Sequence, residues 1–216
     1  MAVVRRLPNS ATIDDASLAR LAAEKDPRAA AVLWDRYSSL VRGILRRSLG
    51  PSADVEDLVQ EAFMGMFRTL GGLRDPDALR SFIVGTSIRV ARSELRRRRV
   101  RRWLSLTPTG TLPDTESMGA VDPEARRAVK RLYEVLDKID DRSRMAFVLR
   151  HIEGYELTEV ADAMACSLAT TKRALLKAQE RVNAYVKSDP LLAPYAREGS
   201  GQDDDAREVG DAAQGD

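Results

Sequence analysis

Apolar residues recur every three or four positions along most of the chain, which is the spacing of one buried helical face. The clearest stripe predicts a helix over 27–48 and consists of Val32, Leu33, Tyr37, Leu40, Val41, Ile44 and Leu45. Further helices are predicted over 17–24, 53–70, 75–102, 157–164 and 168–186. We find no alternating strand pattern and no internal repeat. The pattern predicts an all-α protein.

Turn-forming residues divide this helical pattern. Three Asp-Pro pairs begin at Asp26, Asp75 and Asp122, and each is a predicted helix start. The aspartate side chain can accept hydrogen bonds from free backbone amides, and proline suits the first helical position. Gly50-Pro51 and Gly71-Gly72 end two helices, and Ser52 is the predicted cap of the helix over 53–70. A Thr-, Pro- and Gly-rich stretch over 105–122 is predicted to be a flexible linker.

The predicted organisation has five parts. Residues 1–25 form a lead-in with a short helix, and 26–104 form a first helical domain. After the linker, 123–187 form a second helical domain, and 188–216 form a tail. The tail is acidic from Glu198 onward, with seven acids against one arginine, and its composition favours disorder.

The helix over 75–102 is basic along one side. Apolar Val84, Ile88, Ala91 and Leu95 form its buried stripe, and Arg89, Arg92, Arg96 and Arg99 repeat the same spacing one position later. Six arginines fall within seven positions, 96–102, although the formal net charge of the chain is only +2. A solvated basic face is one interpretation, and contact with a polyanion such as DNA is the other.

A second pattern follows the linker. The helices over 157–164 and 168–186 are separated only by Ala165, Cys166 and Ser167, which is typical of a helix-turn-helix. The predicted inner stripe of the second helix contains Leu168, Thr171, Leu175, Ala178, Val182 and Tyr185, and its opposite face carries Lys172, Arg173, Leu176, Lys177 and Arg181. Basic outer faces also occur on hairpins that bind no DNA, so the motif alone leaves both interpretations open.

Composition narrows the class of protein. The chain has 216 residues, 44% of them hydrophobic and 31% charged, which fits a soluble globular protein. We identify no signal peptide and no transmembrane run, and we expect a cytoplasmic location without membrane insertion. One cysteine and one histidine provide no metal site. With no phosphate loop or nucleophile motif, we predict no catalytic residue, no cofactor and no enzymatic activity.

Three segments resemble the sigma-70 family of bacterial RNA polymerase sigma factors, specifically the extracytoplasmic-function (ECF) subfamily. ADVEDLVQEAFMGMFRTL resembles its region 2.2, and DALRSFIVGTSIRVARSELRRRR resembles regions 2.3 and 2.4. RSRMAFVLRHIEGYELTEVADAMACSLATTKRALLKAQERV resembles region 4. The resemblance implies sigma-2 and sigma-4 type domains with three partners: core RNA polymerase, promoter DNA and an anti-sigma factor.

The resemblance also implies roles for individual residues. Core-polymerase contacts fall on Asp57, Leu58, Gln60, Glu61, Phe63 and Met64. Minus-ten DNA contacts fall on Arg74, Ser87, Arg89, Arg92, Ser93, Arg96, Arg97 and Arg99, with the loop over 71–77 capturing an unstacked base. Minus-thirty-five contacts fall on Lys172, Arg173, Leu176, Lys177 and Arg181.

The chain departs from the family pattern at several of these positions. The usual Trp-Leu of region 2.3 is Phe82-Ile83, and the usual Asn and Asp of region 2.4 are Arg89 and Ser93. Ala165 replaces the usual turn glycine, which requires little strain only if its φ is negative. Two alternatives to a promoter-opening factor therefore stay open: a helix-turn-helix regulator that binds DNA without polymerase, and a degenerate sigma-like protein.

Overall fold

A computed structural model describes residues 13–50, 53–104 and 122–189, except for the side chains of 102–104. The predicted linker and tail lie almost entirely outside the described residues. Within them the chain forms eight α-helices and no strand. These are α1 Asp15–Ala23, α2 Pro27–Leu49, α3 Glu56–Thr69, α4 Leu79–Leu104, α5 Pro123–Leu136, α6 Asp141–Phe147, α7 Leu157–Ala163 and α8 Leu168–Ser188.

The three Asp-Pro starts are confirmed. The Asp26 side chain accepts from the amide of Arg28 at 2.8 Å and caps α2, and Asp122 caps α5 through Glu124. Asp75 caps a short 3₁₀ turn, Pro76–Ala78, that leads into α4. The predicted start of α3 is wrong by three residues, because the helix begins at Glu56 with Val55 as an uncapped N-cap residue. Ser52 lies outside the described residues.

Helices α1–α4 form the first domain around the stripe that the sequence predicts. Leu33, Tyr37, Val41, Ile44 and Leu45 are buried, and they belong to one cluster with the buried stripe of α4. The all-helical class and its division into two helical domains are confirmed. The exact domain boundaries remain predictions.

Helices α5–α8 form the second domain, in which α6 runs into a π-helical turn, Val148–Ile152. Part of its core is a separate cluster that includes Leu136, Val148, Ala178 and Val182. Another part belongs to the core of the first domain, because Met145, Ala146, Leu149 and Ala163 are buried in that same cluster. The two domains therefore pack together, which the sequence pattern did not indicate.

Candidate nucleic-acid interface

The arginine side chains in the basic stripe of α4 are only partly available to an outside partner. Arg89 and Arg96 are exposed, and Arg96 has no ion-pair partner among the described residues. Arg89 donates from Nη2 to Thr86 Oγ1 at 2.6 Å, one helical turn back. Arg92 is half-buried, and its Nε is buried without a described hydrogen-bond partner. These three side chains therefore differ in their freedom to reach a phosphate.

The arginine block at the end of α4 is partly neutralised within the chain. Arg98 and Arg101 both pair with Glu94, at 2.9 and 2.7 Å, and Glu94 is itself almost fully buried. Arg97 lies 3.3 Å from Glu61 of α3, and Arg99 lies 3.0 Å from Asp141 of α6. Self-repulsion of the block is thus relieved in part by Glu94 of the same helix and by two acids that are distant in sequence, Glu61 and Asp141.

A cavity of about 250 Å³ lies between α3 and α4. The lining combines acidic, basic and hydroxyl side chains: Glu61, Arg68, Thr69, Thr86, Arg89 and Ser93. This volume is below the range typical of pockets for drug-sized ligands. The cavity brings Arg89 and Ser93 together and places Glu61 and Arg68 beside them.

Two of the predicted minus-ten positions have contrasting surroundings. Arg74 is exposed in the segment between α3 and α4. Ser87 is fully buried, and its hydroxyl donates to the Ile83 carbonyl at 2.9 Å. The prediction of a DNA contact for Ser87 is therefore wrong in this fold, because its side chain points into the core.

The outer face of α3 carries Asp57, Gln60 and Met64, all exposed, with Glu61 half-exposed at its edge. Leu58 and Phe63 are buried, so their predicted direct contacts with a partner are also wrong in this fold. Phe63 shares helical spacing with Val59, Met66 and Leu70, and that period would have assigned it to the core.

One member of this surface, Trp34, is not among the residues predicted from the sequence. Its ring lies 4.7 Å from that of Phe63, yet the residue is 37% exposed. The sequence signal that could have identified Trp34 as a surface residue is its position on α2, outside the buried stripe formed by Leu33, Tyr37 and Val41. Trp34 and Met64, which is 60% exposed, place apolar area beside the acidic and amide groups of α3.

The predicted helix-turn-helix is present as α7, a short turn and α8. Ser167 is the N-cap residue of α8, where its hydroxyl accepts from the Thr170 amide at 3.3 Å. Thr171, Leu175, Ala178 and Val182 are buried as the stripe predicts. Leu168 is 39% exposed, so its predicted place in the core is wrong.

The turn contains a strained residue. Ala165 has a φ of +50°, in the left-handed region that favours glycine. The condition for low strain, a negative φ, is therefore not met. The backbone bonds that close the turn, from the Ala165 amide to Asp162 and from the Cys166 amide to Ala161, both measure 3.0 Å and hold this geometry.

The outer face of α8 is exposed at every predicted position: Lys172, Arg173, Leu176, Lys177 and Arg181. Lys177 Nζ lies 2.9 Å from Asp140 Oδ2 of the same domain. Burial tends to raise the pKa of Asp140, but hydrogen bonds from Lys177 and Ser143 outweigh that tendency and bring the pKa to about 2. Asp140 therefore stays ionised, and it competes with any phosphate for the ammonium group of Lys177.

The described residues hold no group of three or more His, Cys, Asp and Glu side chains arranged to bind a metal. Among the same residues, no helix has the length and apolar character needed to cross a bilayer.

Both halves of the chain match models of one family. Residues 33–101 match Sigma-70 region 2, and residues 125–182 match Sigma-70, region 4. The chain therefore belongs to the sigma-70 family of RNA polymerase sigma factors, within its ECF subfamily.

Individual relatives agree with this assignment. The ECF RNA polymerase sigma-E factor of Escherichia coli (strain K12) is 27% identical over 191 residues, covering 85% of this chain and 98% of the relative. The RNA polymerase sigma-H factor of Pseudomonas aeruginosa is 24% identical over 192 residues, covering 80% and 91%. The structure of CnrH in complex with the cytosolic domain of CnrY matches with a TM-score of 0.57 and 23% identity, over 81% of this chain and 98% of CnrH.

Proposed function

We propose that this chain binds core RNA polymerase and directs it to promoters by recognising a minus-ten and a minus-thirty-five element and assisting strand opening. One observation carries the proposal: each of the two family regions presents an exposed basic helix face. These faces are α4 in the match to region 2 and α8 in the match to region 4. A regulator that binds duplex DNA alone has no use for the polymerase-docking surface of region 2.2.

The outer face of α3 is the proposed polymerase surface. Asp57, Gln60, Glu61 and Met64 provide carboxylate, amide and thioether groups for a basic and apolar partner, and Trp34 extends the apolar part. Leu58 and Phe63 support this surface from beneath.

The minus-ten surface is proposed to combine the stripe of α4 with the cavity beside it. Arg96 is free to contact a backbone phosphate, Arg92, Arg97 and Arg99 are its neighbours along α4, and Arg74 is exposed in the segment that precedes α4. Arg89 and Ser93 line the cavity, where an unstacked base would gain hydrogen bonds that offset its flipping cost of a few kcal/mol. Their departure from the usual Asn and Asp predicts an altered minus-ten preference.

The minus-thirty-five surface is proposed to be the outer face of α8. Lys172 and Arg173 lie in the first turns, where a recognition helix meets base edges and phosphates. Leu176 is exposed and apolar, which suits the methyl group of thymine. Lys177 and Arg181 continue the basic face toward the DNA backbone.

Further parts of the proposal follow from the family. We expect the chain to act in the cytoplasm, to perform no chemistry of its own and to need no cofactor. We also expect an anti-sigma factor to bind it, and the solved complex of CnrH with the cytosolic domain of CnrY supports a protein partner of some kind.

Run-off transcription with purified core polymerase on genomic fragments tests the proposal. The chain should produce specific transcripts, and the double substitution Lys172→Ala and Arg173→Ala should abolish them while core binding persists. Arg127→Ala and Arg142→Ala together remove the same charge from exposed positions outside α8 and should leave the transcripts intact.

Tight core binding without any specific transcript would overturn the promoter-opening function. That outcome would favour the second candidate, a degenerate sigma-like protein that occupies polymerase. The observation that keeps this candidate open is the replacement of two base-selecting residues by Arg89 and Ser93.

A further inference from the structure

The hydroxyl group of Thr86 ties Arg89 to the cavity between α3 and α4. Thr86 is only 5% exposed, and its hydroxyl donates to the Phe82 carbonyl at 2.9 Å. The same oxygen accepts from Arg89 Nη2 at 2.6 Å. Because a hydroxyl group has one donor and two acceptor sites, both bonds can form at once. The guanidinium of Arg89, whose side chain is exposed, is therefore held at one nitrogen by a buried group.

The helix surface around this pair is open on the side of Gly85. Gly85 lies one helical turn before Arg89, and a Cβ atom there would lie 3.8 Å from Arg89 Nη1 and 3.1 Å from the carbonyl oxygen of Ala163. Thr86 and Arg89 both line the cavity, so the guanidinium is fixed at its edge. An arginine held in this way has already lost much of the rotamer freedom that a ligand would otherwise have to restrict.

The tethered guanidinium keeps a complete donor edge. A guanidinium has five N–H groups in a rigid fork, and Thr86 accepts from one of the two on Nη2. Two parallel N–H groups on one edge bind two adjacent acceptor atoms. Such acceptor pairs occur in guanine, as O6 and N7, and in cytosine, as O2 and N3. Adenine and thymine have no such pair, so Arg89 favours guanine or cytosine.

Glu61 of α3 distinguishes these two bases. Its carboxylate lines the same cavity, and its 3.3 Å contact with Arg97 is longer than an ordinary hydrogen bond. A carboxylate can accept from two adjacent N–H donors, which guanine offers at N1 and N2, whereas cytosine offers only its N4 amino group. Between Arg89 and Glu61, guanine can therefore form two two-point contacts and cytosine only one.

We propose that this cavity binds an unstacked guanine of the minus-ten element, and that Thr86 is the positioning residue that sets the preference through Arg89. This inference rests on the proposed promoter function and names the base that the minus-ten surface recognises. Arg89, which stands where the family usually has asparagine, contacts the base. Thr86 acts through Arg89 without touching the base itself.

Three variants of the full-length chain isolate the role of the Thr86 hydroxyl. Thr86→Val removes the hydroxyl but keeps the branched shape of the side chain, so Arg89 is released while the packing of α4 is retained. Thr86→Ser keeps the hydroxyl and should behave as the native chain does. Ser87→Ala is the matched control, because it removes a buried hydroxyl that donates to the Ile83 carbonyl, at 2.9 Å, on the same helix. Thermal melts by circular dichroism identify any variant that fails to fold.

Equilibrium binding of single-stranded minus-ten oligonucleotides to the complex of each chain with core polymerase measures the preference. The native chain, Thr86→Ser and Ser87→Ala should favour guanine over every other base at one position by about 10-fold. Thr86→Val should reduce this preference by about 2- to 10-fold, because the released Arg89 side chain must be immobilised when guanine binds.

Modified bases test the individual contacts at the same position of the oligonucleotide. 7-Deazaguanine lacks N7, and hypoxanthine lacks the N2 amino group, so each should bind the native complex several-fold more weakly than guanine. With 7-deazaguanine the native chain and Thr86→Val should bind about equally, because the contact that Thr86 positions is already lost. A purely structural effect of Thr86→Val would persist with every base.

A preference for cytosine at the position affected by Thr86→Val, or the absence of a guanine preference at every minus-ten position, would overturn guanine recognition. An unchanged preference in Thr86→Val, or an equal loss in Ser87→Ala, would overturn the positioning role. Run-off transcription separates these results from failure of the promoter function: absence of transcripts with an intact guanine preference overturns promoter opening alone and leaves the base assignment valid.

Discussion

At the scale of single residues, local chemistry decides the helix starts, and tertiary surroundings decide the roles of individual side chains. Asp26 and Asp122 cap their helices as the sequence indicates, because an N-cap needs only the amides two or three residues ahead. Ser87 and Phe63 were assigned to surfaces but are buried. For Phe63 the helical period alone indicates the core, and only the role implied by the family resemblance placed it on a surface.

The strained turn at Ala165 gives a prediction of stability. Ala165→Gly should raise the free energy of unfolding by about 1 kcal/mol, because glycine adopts a φ of +50° without the steric penalty that a Cβ incurs. Ala184→Gly, at an exposed position within α8, should lower it by about 1 kcal/mol. Urea unfolding of both variants measures the two changes, and equal losses would show that Ala165 is not strained.

At the scale of helices, α4 combines core and surface functions on neighbouring stripes. Ile83, Val84, Ile88 and Ala91 are buried, whereas Arg89 and Arg96 face outward. The sequence period placed both stripes correctly, because one residue rotates the helix by about 100°. It did not reveal that Glu94 and Asp141 neutralise part of the arginine block.

The cavity beside α4 predicts a change of promoter preference. The double substitution Arg89→Asn and Ser93→Asp restores the residues usual in the family and should shift the preferred minus-ten base. The expected discrimination is about 1–3 kcal/mol at that position, as for other side chain–base contacts. Run-off transcription on promoters randomised at the minus-ten element measures the shift, and an unchanged preference would remove both residues from base selection.

At the scale of the whole molecule, the surfaces proposed for polymerase and for DNA differ in composition. The α3 face with Trp34 and Met64 has a different composition from the basic faces of α4 and α8, since acids, amides and apolar groups replace the cations. The two domains share one core cluster, so rearrangement of one affects the surfaces of the other.

The polymerase surface gives a prediction at this scale. Met64→Asp should weaken core-polymerase binding by about 2 kcal/mol, or about 30-fold, because it places an unpaired carboxylate in an apolar contact. Val100→Asp is the matched control, since Val100 is 54% exposed against 60% for Met64 and lies outside α3. Fluorescence titration with core polymerase measures both affinities. Equal weakening by the two variants would argue against this surface.

The sequence by itself determined the helical class, the starts at the three Asp-Pro pairs, the two stripes of α4 and the hairpin of α7 and α8. These features depend on periods and caps that act within a few residues, so a linear pattern contains them. The tertiary structure alone decided the pairing of Arg99 with Asp141, the burial of Arg144 against the end of α2 and the contact at Gly85. Each joins residues at least forty positions apart, and such proximity depends on how the chain folds back on itself rather than on any local pattern.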